Sequence, residues 1–203
     1  MFSQLRPALV SLLLLTLLTG GVYSLAVQGF ASAFFSRQAN GSLLTDAQGN
    51  PVGSSLIGQG FDAPQYFWSR PSATGPVPYT AYNADKGTNG SGSNQGPTNP
   101  ALAQAVTQRV AALKALDSDN VHPIPLDLVT ASASGLDPEI SPAGAEYQVP
   151  RVARVRGITE NEVRSLVAQA TQGRQFGILG EPRVNVLLLN RALDKLAPQR
   201  QVP

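Results

Sequence analysis

The sequence predicts an α+β protein: a single N-terminal transmembrane helix followed by one mixed α+β soluble domain. Residues 7–35 contain no ionisable side chain except Tyr23, and about 20 apolar residues are enough to cross a bilayer. The rest of the chain alternates short strand-like segments with helical periodicities that begin at clear capping residues. At 203 residues, the chain is long enough for one modest core beside the membrane segment.

The predicted limits are a short cytoplasmic end at 1–6, a transmembrane helix at 7–30 and an extracytoplasmic α+β domain at 31–203. Arg6 precedes the span and Arg37 follows it. Together with the free N-terminal amine, Arg6 gives a small excess of positive charge before the span, which favours a cytoplasmic N-terminus. We therefore expect a single-pass membrane protein whose domain lies outside the cytosol.

The span contains two adjacent small residues, Gly20 and Gly21. Small residues let helices approach closely in lipid, so both are candidates for contact with another membrane protein. The alternative for this region is a cleaved signal peptide, with Arg6 as its basic start and Ala31-Ser32-Ala33 as its cleavage site. The mature protein would then be a secreted envelope binding or hydrolase domain.

Composition excludes several classes of function. The formal net charge is only +2, and no Lys/Arg block reaches the density typical of nucleic-acid binding. There is no cysteine, which rules out disulfides and thiolate metal sites. A single histidine, His122, rules out sites with several histidine ligands. We expect neither a nucleic-acid partner nor a metal.

Local signals place most elements of the domain. Turn residues at 46–53 predict a β-hairpin between strands that begin near Ser42 and end near Ile57. Asn99-Pro100 starts a helix that runs to about Leu116. Thr159 and Glu162 form a capping box for a helix through Thr171. Residues 184–187 fit either a strand or the start of a helix.

The stretch 129–157 concentrates helix-start and turn signals. Alternation of apolar residues predicts a strand over 126–130. Asp137 and Ser141 each precede a proline and so fit the N-cap position of a helix. Pro150 lacks an N–H, so we expect a short helix, a kink and a second turn.

Charged side chains of this stretch have structural explanations. Arg151, Arg154 and Arg156 could meet lipid phosphates or an acidic partner, but their spacing does not place all three on one stripe of a helix. A solvated face is the preferred interpretation. Asp137 and Glu139 could form an acid–base pair, but carboxylates near a helix N-terminus are favoured by the helix dipole in any case.

Two segments before this stretch suggest recognition. Residues 61–68 hold four aromatic side chains, which we interpret as core, while Arg70 fits equally a cap of backbone carbonyls or part of a docking surface. Residues 76–99 form a long polar loop. Within it Ser91, Gly92, Ser93 and Asn94 could place backbone N–H groups around a phosphate or a carbonyl, although the Lys-Ser/Thr of a P-loop is missing.

Five ordered blocks resemble one known family, the KdpC chains of the bacterial Kdp potassium-transporting P-type ATPases, over nearly the whole chain. The blocks are Gly53-Ser54-x-Leu56-Ile57-Gly58-Gln59, Tyr66-Phe67-x-x-Arg70-Pro71-Ser72, Ser91-Gly92-Ser93-Asn94, the run from Thr130 to Pro142 continued by Gln148-x-Pro150-Arg151, and Arg183-Val184-Asn185-Val186. Interaction candidates taken from the span and these blocks are Gly20, Gly21, Gln59, Arg70, Ser134, Asp137, Gln148, Arg151 and Asn185.

The resemblance implies a non-catalytic accessory subunit of an ATP-driven potassium uptake pump in the bacterial inner membrane. Its partners would be the potassium-translocating and ATP-hydrolysing membrane subunits and the lipid bilayer. The family is described as assisting ATP binding by the catalytic subunit. A domain outside the cytosol cannot touch cytosolic ATP, so the help must pass through the membrane subunits, or the domain guards the ion entrance.

A hydrolase would need a nucleophile and a base. His122, Asp127 and Ser132 or Ser134 supply the residue types of a triad, but the G-x-S-x-G spacing of a nucleophile elbow is absent. Turn and capping roles already explain both serines. We therefore expect no ATP hydrolysis or other catalysis by this chain alone.

Overall fold

The computed structural model describes residues 2–75, 77–83 and 88–196. The chain divides into two compact units, Met1–Ser54 and Ser55–Pro203. Two predicted features lie partly outside the described residues: the loop at 76–99 and the first residue of the cytoplasmic end.

The first unit is dominated by one apolar helical rod. It consists of α1 (Leu5–Thr16), a π-helical segment (Leu17–Tyr23) and α2 (Ser24–Phe34). None of the 30 residues from Leu5 to Phe34 is buried. At about 1.5 Å per residue, the length of the rod exceeds the thickness of the hydrocarbon core of a bilayer. Length and apolar composition fit a membrane span, and they fit a signal sequence near an N-terminus equally well.

The π-helical segment contains Gly20 and Gly21. Hydroxyl groups bond the backbone here, because Thr19 Oγ1 donates to Leu15 O at 2.7 Å and Ser24 Oγ donates to Thr19 O at 3.0 Å. A Cβ added at Gly20 would meet nothing within 4 Å, and one at Gly21 would make only an ordinary contact with Leu17 at 3.6 Å. Neither glycine is therefore required by packing within the rod.

The first unit ends with the short helix α3 (Ser36–Ala39) and the predicted hairpin. Strands β1 (Leu43–Thr45) and β2 (Pro51–Ser54) pair antiparallel. The Asp46 side chain organises the turn, since Oδ1 accepts hydrogen bonds from the N–H groups of Gln48 and Asn50 at 2.9 and 2.8 Å. The hairpin prediction is confirmed.

The second unit is built on a three-stranded antiparallel sheet in which β7 (Arg183–Asn185) lies between β5 (Glu139–Ile140) and β6 (Thr171–Gln172). Two-residue strands β3 (Tyr82–Asn83) and β4 (Thr88–Asn89) pair separately, before the helix α4 (Pro100–Leu116). The sheet and the helices beside it are β5 (Glu139–Ile140), α5 (Pro142–Arg156), α6 (Glu160–Ala170), β6 (Thr171–Gln172), β7 (Arg183–Asn185) and α7 (Val186–Leu196). The core includes Phe67, Leu128, Val149, Val152, Val163, Val184, Leu189 and Leu193.

The predicted caps set the starts of the helices. Asn99 Oδ1 accepts from Ala101 N at the start of α4, and Ser141 Oγ accepts from Gly144 N at the start of α5. The capping box of Thr159 and Glu162 opens α6. The ambiguous segment resolves as strand β7 followed directly by α7, with Asn185 Oδ1 accepting from Leu188 N.

Three local expectations for the stretch 126–156 are wrong. Leu126–Leu128 is a 3-10 turn instead of a strand, because Pro125 O accepts from Leu128 N and Leu126 O accepts from Val129 N. Asp137 caps no helix: its Oδ1 accepts from Glu139 N just before β5. Helix α5 continues through Pro150 as a single element, because close packing of its buried face outweighs the loss of one backbone hydrogen bond.

Candidate functional site

The signature residues Gln148 and Arg151 lie on the buried face of α5 and hold an irregular segment, residues 64–68. Gln148 Oε1 accepts from Trp68 N at 2.7 Å, and its Nε2 donates to Trp68 O at 3.1 Å. Arg151 donates to Pro64 O and to Tyr66 O. From α7, Asn190 bonds both the N–H and the carbonyl of Phe67. We call Gln148, Arg151 and Asn190 the polar clamp.

The clamp corrects the expectation of a solvated arginine face. Arg151 is 2% exposed, and burial lowers the pKa of its guanidinium to about 10. The side chain of Arg156 is also 2% exposed, and it pairs with Asp194 at 2.8 Å. Only Arg154 fits the prediction, because its side chain is half exposed while it bonds the buried Asp117 at 2.6 Å. Carbonyls without strand partners in segment 64–68 need these donors.

Three loops, around residues 58, 91–92 and 133–137, meet through glycines. A Cβ on Gly58 would lie 2.6 Å from Asp137 O, one on Gly92 would lie 2.5 Å from Ala133 O, and one on Gly135 would lie 2.5 Å from Ser91 O. Gly135 also has a φ of +70°. These approaches explain why glycines recur in the sequence blocks: only a residue without a side chain lets the backbones come this close.

Ser72 and Tyr79 connect the same loops by hydrogen bonds. Ser72 Oγ donates to Gly135 O at 2.6 Å and accepts from Tyr79 N at 3.0 Å. Tyr79 OH donates to Arg70 O, and burial raises the pKa of Tyr79. The predicted long loop is therefore attached to the domain near its start by a half-buried tyrosine.

Arg70, whose role the sequence left open, caps a carbonyl and forms an ion pair. Its Nη2 donates to Ala131 O at 3.3 Å, and its Nη1 pairs with Asp137 Oδ2 at 3.2 Å. Both side chains are about a quarter exposed. Its buried Nε has no partner among the described residues. The prediction that the four aromatic side chains before it are core is confirmed for Phe67 and Trp68, which are buried, while Phe61 packs partly buried against the core. Tyr66 is only half-buried, and its hydroxyl donates to Asp194 at 3.2 Å.

Arg109 is a site residue that the sequence analysis does not identify. Its spacing favours the outer face of the helix at 99–116, yet Nε donates to Leu128 O and Nη2 to Ser69 O, both at 3.2 Å. Its guanidinium carbon lies 4.6 Å from the ring centroid of Trp68. Burial lowers the pKa of Arg109, and no carboxylate pairs with it in the described part of the chain. The only feature of the sequence that could have pointed to this role is the presence of an arginine within the amphipathic pattern of α4.

Arg70 and Arg109 line one open pocket of about 500 Å³, which we call the arginine recess. Its other lining residues are Gly60, Phe61, Asp62, Ser69, Pro71, Ser72, Val77, Pro78 and Tyr79. Asp62 is exposed at the surface. The recess thus combines two guanidinium groups with aromatic and proline side chains, an environment suited to a carboxylate or another anion that carries apolar surface.

A second pocket, of about 430 Å³, shares Pro71, Ser72 and Arg109 with the recess. Ser93 from the predicted nest lines it, and Asn94 has a φ of +52°. Gly92 contacts Ala133 by backbone packing, and Ser91 Oγ donates to Gly92 O. Ser91, Gly92, Ser93 and Asn94 remain candidates for ATP contact only as a prediction.

The remaining signature residues have internal contacts. Asn185 Nδ2 donates to Ser55 O at 2.9 Å, and Gln59 O accepts from Ser69 Oγ at 3.2 Å. Ser134 Oγ accepts from Leu136 N at 3.1 Å. Of the nine interaction candidates, Gln148, Arg151 and Asn185 are nearly completely buried. Arg70 is the one that lines the recess.

The residues of the hypothetical triad have separate roles. Asp127 Oδ2 accepts from Ser141 N at 2.7 Å, next to the start of α5. His122 lines a different pocket, beside Lys114 and Val121. Ser132 is buried, and its Oγ has no partner among the described residues. In the part of the chain that the structure describes, no group of three or more His, Asp or Glu side chains is placed to hold a metal.

Comparisons with known proteins agree on one family. The model of the family KdpC, described as K⁺-transporting ATPase, c chain, matches residues 5–195. The KdpC subunit of a potassium-transporting ATPase from Sorangium cellulosum is 61% identical over 194 residues, covering 96% of this chain and 98% of its own. Proteins of the same name from Dechloromonas aromatica and Herpetosiphon aurantiacus are 57% and 59% identical over 197 and 191 residues. They cover 97% and 94% of this chain and 100% and 95% of their own lengths. The chain belongs to the KdpC family of potassium-transporting ATPase subunits.

Proposed function

We propose that this accessory subunit is anchored by an uncleaved helix at 7–30, with its domain outside the cytosol, and stabilises the pump. The observation that carries the proposal is the 30-residue apolar rod, none of which is buried by the rest of the chain. Such a surface is stable in lipid or against other membrane helices.

The domain acts without catalysis of its own. Polar side chains that could support chemistry are used to hold backbone groups, as in the polar clamp and at Asp127. The arginine recess instead supports binding, because Arg109 is half-buried without a carboxylate partner in the described chain. We infer that the recess receives an acidic group of a neighbouring subunit.

Assistance to ATP binding is then indirect. A domain outside the cytosol acts on the catalytic subunit by stabilising one arrangement of the membrane subunits, which changes the affinity for ATP by linkage. An alternative is that the domain guards the ion entrance. The two roles are distinguished by measuring the KM values for ATP and for potassium in pumps with and without this subunit. If the subunit assists ATP binding, its loss raises the KM for ATP. If it guards the ion entrance, its loss changes only the KM for potassium.

Orientation is tested by cysteine labelling, since the chain has no native cysteine. Ser118→Cys lies at an exposed position of the domain, and an impermeant maleimide should label it in intact cells whose outer membrane has been permeabilised. Ser3→Cys, before the span, should be labelled only after lysis. The reverse pattern would contradict the proposed topology. Loss of the first thirty-odd residues from the mature mass would instead support the signal-peptide alternative.

Assembly is tested in the span. Neither Gly20 nor Gly21 is needed within the rod, so Gly20→Leu or Gly21→Leu should insert normally but co-purify less with the large subunits. Gly29→Leu, in the same rod and also without close neighbours, is the matched control. Equal recovery of all three variants would place the assembly energy in the domain.

A further inference from the structure

The loop between β6 and β7 exposes an unusual set of apolar side chains. Phe176 is 92% exposed, Ile178 74% and Leu179 54%. These three residues come from the sequence Gln175-Phe176-Gly177-Ile178-Leu179, and we call this segment the apolar tip. Scattered single apolar residues are normal on a surface, but three in four consecutive positions of one turn indicate a contact site.

The tip is held in a defined shape by its own backbone. Gln175 and Leu179 exchange two hydrogen bonds, of 2.8 and 2.9 Å, and Ile178 N donates to Gln175 O at 3.1 Å. At the base, Arg174 Nη2 lies 2.8 Å from both carboxylate oxygens of Glu181. The apolar side chains are therefore presented by a closed turn, and less conformational entropy is lost when they bind.

Phe176 is unfavourable in this turn for the chain itself. Its φ is +53° and that of Gly177 is +77°, the pattern of a type I′ turn, in which Asn, Asp or Gly normally occupies the first central position. A bulky residue in the left-handed region is strained. Here Phe176 also exposes almost its whole ring. Neither the backbone conformation of Phe176 nor the exposure of its ring to water stabilises the folded chain.

The charges beside the tip favour a protein over a lipid surface. Residues 175–180 carry no charge. Arg174 is paired with Glu181, and the next arginine, Arg183, is paired with Glu139 at 2.9 Å. Segments that insert into anionic lipid depend on unpaired basic residues next to their apolar side chains. Here the paired Glu181 carboxylate is largely exposed and would face the phosphates.

We propose that the apolar tip is an anchor that inserts Phe176 into an uncharged apolar pocket of another protein subunit of the pump. This inference rests on the proposed function, since it needs the chain to be assembled with such subunits. Phe176 supplies the buried ring, Ile178 and Leu179 exclude water around it, and the Arg174–Glu181 pair lies at the rim. Aromatic side chains in a central pocket dominate the energy of many interfaces.

The test compares two substitutions in the full chain, co-expressed with the other pump subunits. Phe176→Asn places a residue favoured in the left-handed region at the turn. It should leave the Tm of the isolated full chain unchanged or higher, yet weaken association at least about tenfold, as expected for a central aromatic anchor. Val121→Asn is the control, because Val121 is 90% exposed in another loop, and it should assemble like wild type.

A photo-reactive phenylalanine at position 176 identifies what the tip contacts. A cross-link to another pump subunit supports the proposal, and a cross-link to lipid alone, or to nothing, overturns it. Normal assembly of Phe176→Asn, under conditions where wild-type chain assembles, would also overturn it while leaving the proposed function intact. If wild-type chain itself failed to co-purify, the proposed function would be wrong instead.

Discussion

Segment 64–68 and the apolar tip both depart from the usual rule that apolar side chains are buried and polar side chains are exposed. Polar side chains are buried around segment 64–68, whereas apolar side chains are exposed at the tip. The segment has irregular backbone inside the domain, and buried polar side chains of α5 and α7 complete its hydrogen bonds. The tip completes its own backbone bonds and leaves Phe176 in solvent. Buried polar groups here maintain the fold, whereas exposed apolar groups are available to a partner. The difference separates signature residues that hold the domain from residues that can recognise another subunit.

Removing a member of the polar clamp should have the largest effect on stability. Arg151→Leu leaves the carbonyls of Pro64 and Tyr66 without their donors. With about 1–3 kcal/mol for each unsatisfied buried group, we expect a loss of about 3 kcal/mol in the free energy of unfolding. Urea denaturation of the full chain in detergent measures it. Glu146→Leu, at an exposed position of the same helix whose pair with Arg164 is about half exposed on both sides, should cost less than half as much; equal losses would mean that the clamp does not hold segment 64–68.

The loop junction should be the next most sensitive region. Gly135→Ala adds a Cβ 2.5 Å from Ser91 O at a φ of +70°, so backbone strain and a clash act together. We expect a loss of about 2 kcal/mol, measured in the same urea titration. Gly96→Ala, where nothing lies within 4 Å, should change stability little. A tolerated alanine at position 135 would show that the two loops separate easily.

Arg109 distinguishes folding from binding at the recess. Arg109→Gln loses the stack on Trp68 and the charge-assisted bonds to Leu128 O and Ser69 O, which should lower stability by about 1–2 kcal/mol. Arg109→Lys retains the charge. If the recess binds an acidic group, the Lys variant should associate with the pump more tightly than the Gln variant at low salt and should lose this advantage as the salt concentration rises, because salt screens the ionic contact that only the Lys variant retains. Equal salt dependence of the two variants would argue against this role.

The smallest effect concerns the capping box and depends on pH. Hydrogen bonds from the Thr159 N–H and hydroxyl lower the pKa of Glu162 below its usual value. A depressed carboxyl pKa stabilises the fold above the unfolded pKa, and this stabilisation is lost as the pH falls through the folded pKa. Glu162→Gln should therefore lower the Tm slightly at pH 7 and have a smaller effect near pH 3. A Tm difference that is constant over this range would contradict the ionic role.

Much of the fold could be predicted because its signals are local. Asn99, Ser141 and the Thr159–Glu162 box each act within one helical turn, and all three helix starts are confirmed. The hairpin turn at Asp46 is equally local. The strand predicted at 126–130 is wrong because alternation over five residues does not distinguish a strand from a 3-10 turn stabilised by Pro125 O. The apolar span, the ordered motif blocks and hence the family were also readable directly from residue order.

Only the tertiary structure decided what the signature residues do. Arg151 bonds carbonyls 85 and 87 positions away, and Gln148 bonds Trp68 80 positions away. Arg109 reaches Ser69, 40 positions away, to form the recess. No periodicity or spacing along the chain encodes such a meeting, because it arises when an irregular segment without strand partners is packed against helices that can supply donors. Residue types fixed which groups could bond, and packing of the domain fixed which of them became buried and which were left for a partner.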